Sequence, residues 1–82
     1  MPVPNSLPRF IESIVRMLVE RTDAVSVTPV EAGRSTLLEV RVAPEDLGRV
    51  IGRQGRTSRS LRALLAAATR EQAARYQLEI IE

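Results

Sequence analysis

Apolar residues recur at three- and four-residue steps near the start of the chain. Leu7, Phe10, Ile11, Ile14, Val15, Leu18 and Val19 form one stripe, with Arg9, Glu12, Arg16 and Glu20 turned away from it. That spacing is the period of an α-helix with one buried face, and it predicts a helix over residues 7–21. Asn5 or Ser6 can cap its start, and Pro8 falls in a first turn, where it is tolerated. The pattern then changes. Residues 24–31 and 36–43 are rich in Val and Leu, and Leu38, Val40 and Val42 alternate with Leu37, Glu39 and Arg41. Period two means strand, and the Glu31–Ser35 segment supplies the turn of a hairpin over residues 24–43. Pro29 cannot donate a ladder hydrogen bond, so the first strand is expected at a sheet edge or bulged.

Pro44 marks a second helix start, with Glu45 and Asp46 placed to cap it and to meet its positive end. Leu47, Val50 and Ile51 are its core candidates, and Gly52 and Gly55 stop it. A third helix opens at Arg56 or Thr57, with Leu61, Leu64, Leu65 and Ala68 on one face, and fades between Thr69 and Arg75. The helix–Gly52-Arg53-Gln54-Gly55–helix unit thus occupies residues 44–73. Tyr76, Leu78 and Ile80 alternate with Gln77, Glu79 and Ile81 in a closing strand over 76–82. The order is α-β-β-α-α-β, an α+β chain with no linker, repeat or low-complexity stretch.

Composition narrows the function. A chain of 82 residues holds one domain. It buries only roughly 60–65% of its unfolded surface, so its stability margin is thin. With no Cys and no His, it offers no disulfide, no thiolate or imidazole metal ligand and no familiar catalytic base. Thr57, Ser58 and Ser60 have no base to activate them. No catalytic residue, metal site or cofactor is expected, and no small-molecule substrate. There is no signal-like start and no apolar window long enough for a membrane span, so a cytoplasmic protein without membrane partners is expected.

The charge is unevenly spread. The chain carries twelve basic residues, all Arg, against ten acids, for a net +2. Residues 49–62 hold Arg49, Arg53, Arg56, Arg59 and Arg62 and no acid at all, whereas both flanks are slightly negative. The cluster is the footprint of a polyanion partner. Its centre is the pair of glycines three apart, set where a helix opens. Such a start leaves N–H groups unpaired and carries partial positive charge. Absent Cβ atoms let a phosphate approach the backbone. A P-loop or dinucleotide fingerprint would need glycine at Val50, and a P-loop would need Lys at Arg56. With only Phe10 and Tyr76 as aromatics, both read as packing residues, a base-stacking sheet platform is excluded.

The run Val50-Ile51-Gly52-Arg53-Gln54-Gly55-Arg56, followed by Leu61, resembles the KH-domain signature, an aliphatic-Gly-x-x-Gly loop between two short helices. The element order resembles the type II KH arrangement, which implies a three-stranded mixed sheet covered on one face by three helices. Coverage of nearly the whole chain is similar to the small bacterial single-KH proteins of the KhpA family. The resemblance implies an RNA chaperone or post-transcriptional regulator in which Gly52, Arg53, Gln54 and Gly55 clamp about four nucleotides of single-stranded RNA. Arg56, Arg49 and Arg59 are the further RNA-contact candidates, and Arg62 is read as solvated. It also implies a homodimer, or a heterodimer with a larger multidomain KH protein of KhpB type, in control of cell envelope growth and cell shape. Ser58 departs from the pattern, standing where many KH domains carry an aliphatic residue under the groove.

Two rival readings accompany it. The paired helices could be a helix-turn-helix presenting Arg56, Arg59 and Arg62 to duplex DNA. Alternatively the KH fold could serve mainly as a protein–protein dimerisation module, through the alanines at 63, 66, 67, 68, 73 and 74.

Overall fold

A computed structural model describes residues 6–71 and 75–81. The possible cap Asn5, the alanines Ala73 and Ala74 and the terminal Glu82 lie outside them. Helix α1 spans Ser6–Leu18, strand β1 Ser26–Ala32, β2 Ser35–Arg41, α2 Leu47–Ile51, α3 Arg56–Ala68 and β3 Arg75–Ile81. Short 3-10 turns occupy Thr22–Ala24 and Pro44–Asp46. The architecture is the expected α+β order, α-β-β-α-α-β.

Strand β2 is central. It pairs antiparallel with β1, joined by the Gly33-Arg34 turn, and parallel with β3. The parallel pair requires a crossover, which α2 and α3 supply. Strand β1 is an edge, and this is why Pro29 is tolerated in it. Registry puts Val40 beside Val27 and Ile80, and Leu38 beside Leu78. These residues point to the face covered by the helices. There Leu38, Val40 and Leu78 are buried with Leu7, Ile11 and Val15 of α1, Val50 of α2, and Leu61 and Leu65 of α3. Among the described residues no helix is long and apolar enough to cross a membrane.

Four readings of the helices need correction. Helix α1 ends at Leu18, three residues early. The N–H groups of Glu20 and Arg21, which would continue the helix by donating four residues back, donate instead to the Asp46 carboxylate at 3.2 and 3.0 Å. Asp46 accordingly does not cap its own helix. On α3, Leu65 is buried but Leu64 is 38% exposed and Ala68 is exposed too. Thirteen residues of helix on a small sheet bury a stripe one residue wide per turn, at Ser58, Leu61 and Leu65. Ile51 and Phe10 are likewise more open than core residues. Phe10 is 44% exposed. It lines a shallow apolar depression with Ser6, Leu7 and Ala68, between the start of α1 and the end of α3.

Candidate nucleic-acid interface

The glycine loop hangs between the end of α2 and the start of α3. Gly52 closes α2 by donating its N–H to the Gly48 carbonyl at 2.8 Å, and Gly55 donates to the Gly52 carbonyl at 3.0 Å. Gly52 itself has φ 80° and ψ 166°, a region essentially restricted to glycine. Gln54 and Gly55 follow in the left-handed region, at φ 56° and 74°. Three unusual residues among four, Gly52, Gln54 and Gly55, reverse the chain within one tight connection between α2 and α3.

Helix α3 starts without a side-chain cap. The Arg56 N–H is taken by the Arg53 carbonyl, which leaves the Thr57 and Ser58 amides as the first-turn donors without an intrahelical partner. A Cβ on Gly52 would come within 2.7 Å of the Thr57 nitrogen. Any residue but glycine there would press its Cβ onto Thr57 and that amide. Ser58 is buried and its hydroxyl donates to the Gly55 carbonyl at 3.0 Å. This buried polar residue is therefore satisfied, and it ties the first turn of α3 to the loop.

The cationic side chains divide into two groups. Arg53, Gln54, Arg56 and Arg59 are exposed around the loop. Arg59 reaches back over Gly55, where a Cβ would lie 3.5 Å from its Nη1. Among the described residues Arg53, Arg56, Arg59 and Arg62 have no acidic partner within ion-pair distance. Arg49 differs. Its guanidinium donates to Asp46 at 3.1 Å and lies 3.4 Å from Glu20, so its charge is already largely offset. The Asp46 carboxyl is held below the usual carboxylate range, chiefly by the Arg21 N–H. Burial opposes that shift, and the Glu20 N–H and the Arg49 charge add to it.

A groove of about 450 Å³ runs between α3 and β3, lined by Leu37, Arg62, Leu65, Tyr76, Gln77, Leu78 and Glu79. Arg62, read from sequence as a solvated position, and Tyr76, read as packing alone, both line it. Arg62 stands six residues into the helix beyond Arg56, about 9 Å along the axis. The groove thus begins two turns from the loop. A signal for it was present in the strand alternation, which sets Tyr76 and Leu78 on the face toward α3.

Comparison with known proteins agrees with this geometry. The family model described as KhpA/KhpB, KH domain, matches residues 8–80. "RNA-binding protein KhpA" of Borreliella burgdorferi is 44% identical over 73 residues, covering 89% of each chain. The protein of the same name from Treponema pallidum is 46% identical over 73 residues, covering 89% of this chain and 91% of its own. That from Aquifex aeolicus is 41% identical over 78 residues, covering 95% and 99%. The family model spans most of the chain, and relatives of similar length are 41–46% identical to it, so the chain belongs to the KhpA/KhpB KH-domain family.

Proposed function

We propose that the protein binds single-stranded RNA without catalysing a reaction, holding the backbone at Gly52, Arg53, Gln54 and Gly55 and passing the bases into the α3–β3 groove. The observation that carries this reading is the start of α3, which has no side-chain cap. Phosphate there meets the Thr57 amide, the positive end of a thirteen-residue helix and the guanidiniums of Arg53, Arg56 and Arg59, which have no acidic partner among the described residues. Arg49 joins them only by giving up its contacts to Glu20 and Asp46. The relatives' shared name supports RNA as the polyanion. Duplex DNA fits less well, because α2 has five residues and α3 packs its apolar side over β3.

The role this suits is that of an RNA chaperone or post-transcriptional regulator, linked through a KhpB-type partner to envelope growth and cell shape. Self-association is part of the reading. Phe10, Leu64 and the alanines 63, 66, 67 and 68 leave an exposed surface of apolar and small residues on α1 and α3. Light scattering tests that part, and a strict monomer at high concentration, with no partner in pull-downs, would refute it.

The deciding experiment reverses the sign of the loop tip. Arg53→Asp with Gln54→Asp keeps both glycines and alters only exposed positions, so stability should move by no more than about 0.5 kcal/mol. Losing one charge-assisted contact costs roughly 1.5–3 kcal/mol, and repulsion adds to that. Thermal melting paired with fluorescence anisotropy on single-stranded RNA reads both. A variant that melts normally and binds like the parent would sink the loop mechanism.

A further inference from the structure

We propose that Asp46 is a positioning residue for RNA binding: its buried carboxylate fastens α2 to the chain leaving α1, and so holds the Gly52–Gly55 loop in its binding geometry. The inference rests on the RNA-gripping role of that loop.

Helix α2 has five residues, Leu47–Ile51, too few to hold a direction by its own hydrogen bonds. Something outside must aim it. On its apolar side Val50 is fully buried. At its start Asp46 is also fully buried, although an ion is costly to bury unless every lone pair facing the interior is used. Here the carboxylate is used from two directions. One oxygen accepts the Arg21 N–H at 3.0 Å, and the other accepts the Glu20 N–H at 3.2 Å and an Arg49 guanidinium N–H at 3.1 Å. The backbone donors lie 26 and 25 residues away in sequence, so the contact is tertiary and not local capping.

The Arg49 bridge reinforces the same joint. It connects Asp46 in the turn before α2 with Glu20 just beyond α1, 3.4 Å away. Three donors on one carboxylate therefore determine where α2 begins, and Val50 determines its roll. From that helix the loop projects with Gly52 wedged against Thr57. A tilt of α2 separates Gly52 from the start of α3 and dissolves the amide cradle without unfolding the sheet.

The test uses the full chain and separates positioning from stability. Asp46→Asn removes the charge and leaves one acceptor oxygen for donors that used two. Arg21→Pro approaches from the other partner, removing the N–H and an exposed side chain. Arg21→Gln keeps the N–H and controls for that side chain. Leu7→Ala, at the far end of α1, controls for lost stability. All are compared at a low temperature at which melting shows each folded. If a variant loop spends only a fraction of its time in the competent geometry, apparent affinity falls by that fraction, which we expect to be about fivefold or more. Asp46→Asn and Arg21→Pro should both show it, with NMR shifts at the Gly52 and Gly55 amides. Arg21→Gln and Leu7→Ala should bind RNA as the parent does. Parental affinity in folded Arg21→Pro, or an equal loss in Leu7→Ala, would overturn the proposal even if Asp46→Asn cannot fold. Failure of the RNA-gripping reading is visible separately, as undiminished binding by the Arg53→Asp, Gln54→Asp variant.

Discussion

Gly52 lies so close to Thr57 that a Cβ on it would come within 2.7 Å of both the Thr57 Cβ and the Thr57 backbone nitrogen. Two unlike penalties meet at this residue. Its φ and ψ exclude other residues, and its neighbour is backbone that cannot swing aside. Gly55 has φ +74°, but a Cβ there would meet only the flexible tip of Arg59, at 3.5 Å.

The two glycines should therefore respond differently to the same change. Gly52→Ala is expected to cost about 1–3 kcal/mol from backbone strain alone, with the clash in addition. Gly55→Ala should cost only about 1–2 kcal/mol, the ordinary penalty of the left-handed region. Chemical denaturation of the two variants measures the order. Equal losses would mean that the Gly52–Thr57 approach is not tight.

Neighbouring leucines on α3 give a second contrast. Leu65→Ala empties a buried position and should lose about 2–5 kcal/mol, a large part of the stability of a domain this size. Leu64→Ala, at a position 38% exposed, should stay within about 1 kcal/mol. In a small domain each kcal/mol is worth about 4–8 °C, so melting curves distinguish them readily.

RNA affinity should depend on salt in proportion to the phosphates neutralised. If Arg53, Arg56, Arg59 and the helix start engage roughly three to four, as proposed, the slope of log K against log salt should lie near −2 to −3. For one groove an affinity on the order of micromolar is expected. A slope near zero would mean that the cluster does not touch the backbone.

The acid limb of stability should carry the signature of Asp46. Its folded pKa is lowered, mainly by the Arg21 N–H, so the carboxylate stabilises the fold above the unfolded pKa of about 4. That contribution is lost as the pH falls through the lower folded value. The stability gap between the parent and Asp46→Asn should accordingly be constant above about pH 5 and close progressively below pH 4. Because there is no His, neither stability nor binding should show a side-chain transition between about pH 6 and 8. Denaturant melts across pH test both statements.

Periodicity and turn chemistry act locally, and what they governed was legible. The α1 stripe, the alternation of Leu38 and Val40, the edge position of Pro29 and the glycine loop all follow from neighbours within a few residues. So did the acid-free Arg cluster around that loop, because charge clustering needs no fold to be counted.

Tertiary structure decided the rest. Which side of α3 is buried depended on where the sheet lies, so Leu64 and Leu65 could not be told apart by spacing. The end of α1 depended on a carboxylate some 25 residues away that captures the Arg21 N–H. Arg49 has a local acid in Asp46, three residues away, but the Glu20 carboxylate that completes its pairing meets it only across the fold. Arg62 and Tyr76 became groove walls when β3 closed beside β2. Hydrogen bonds and packing surfaces of this kind form between segments distant in sequence, so no window of the sequence contains both partners.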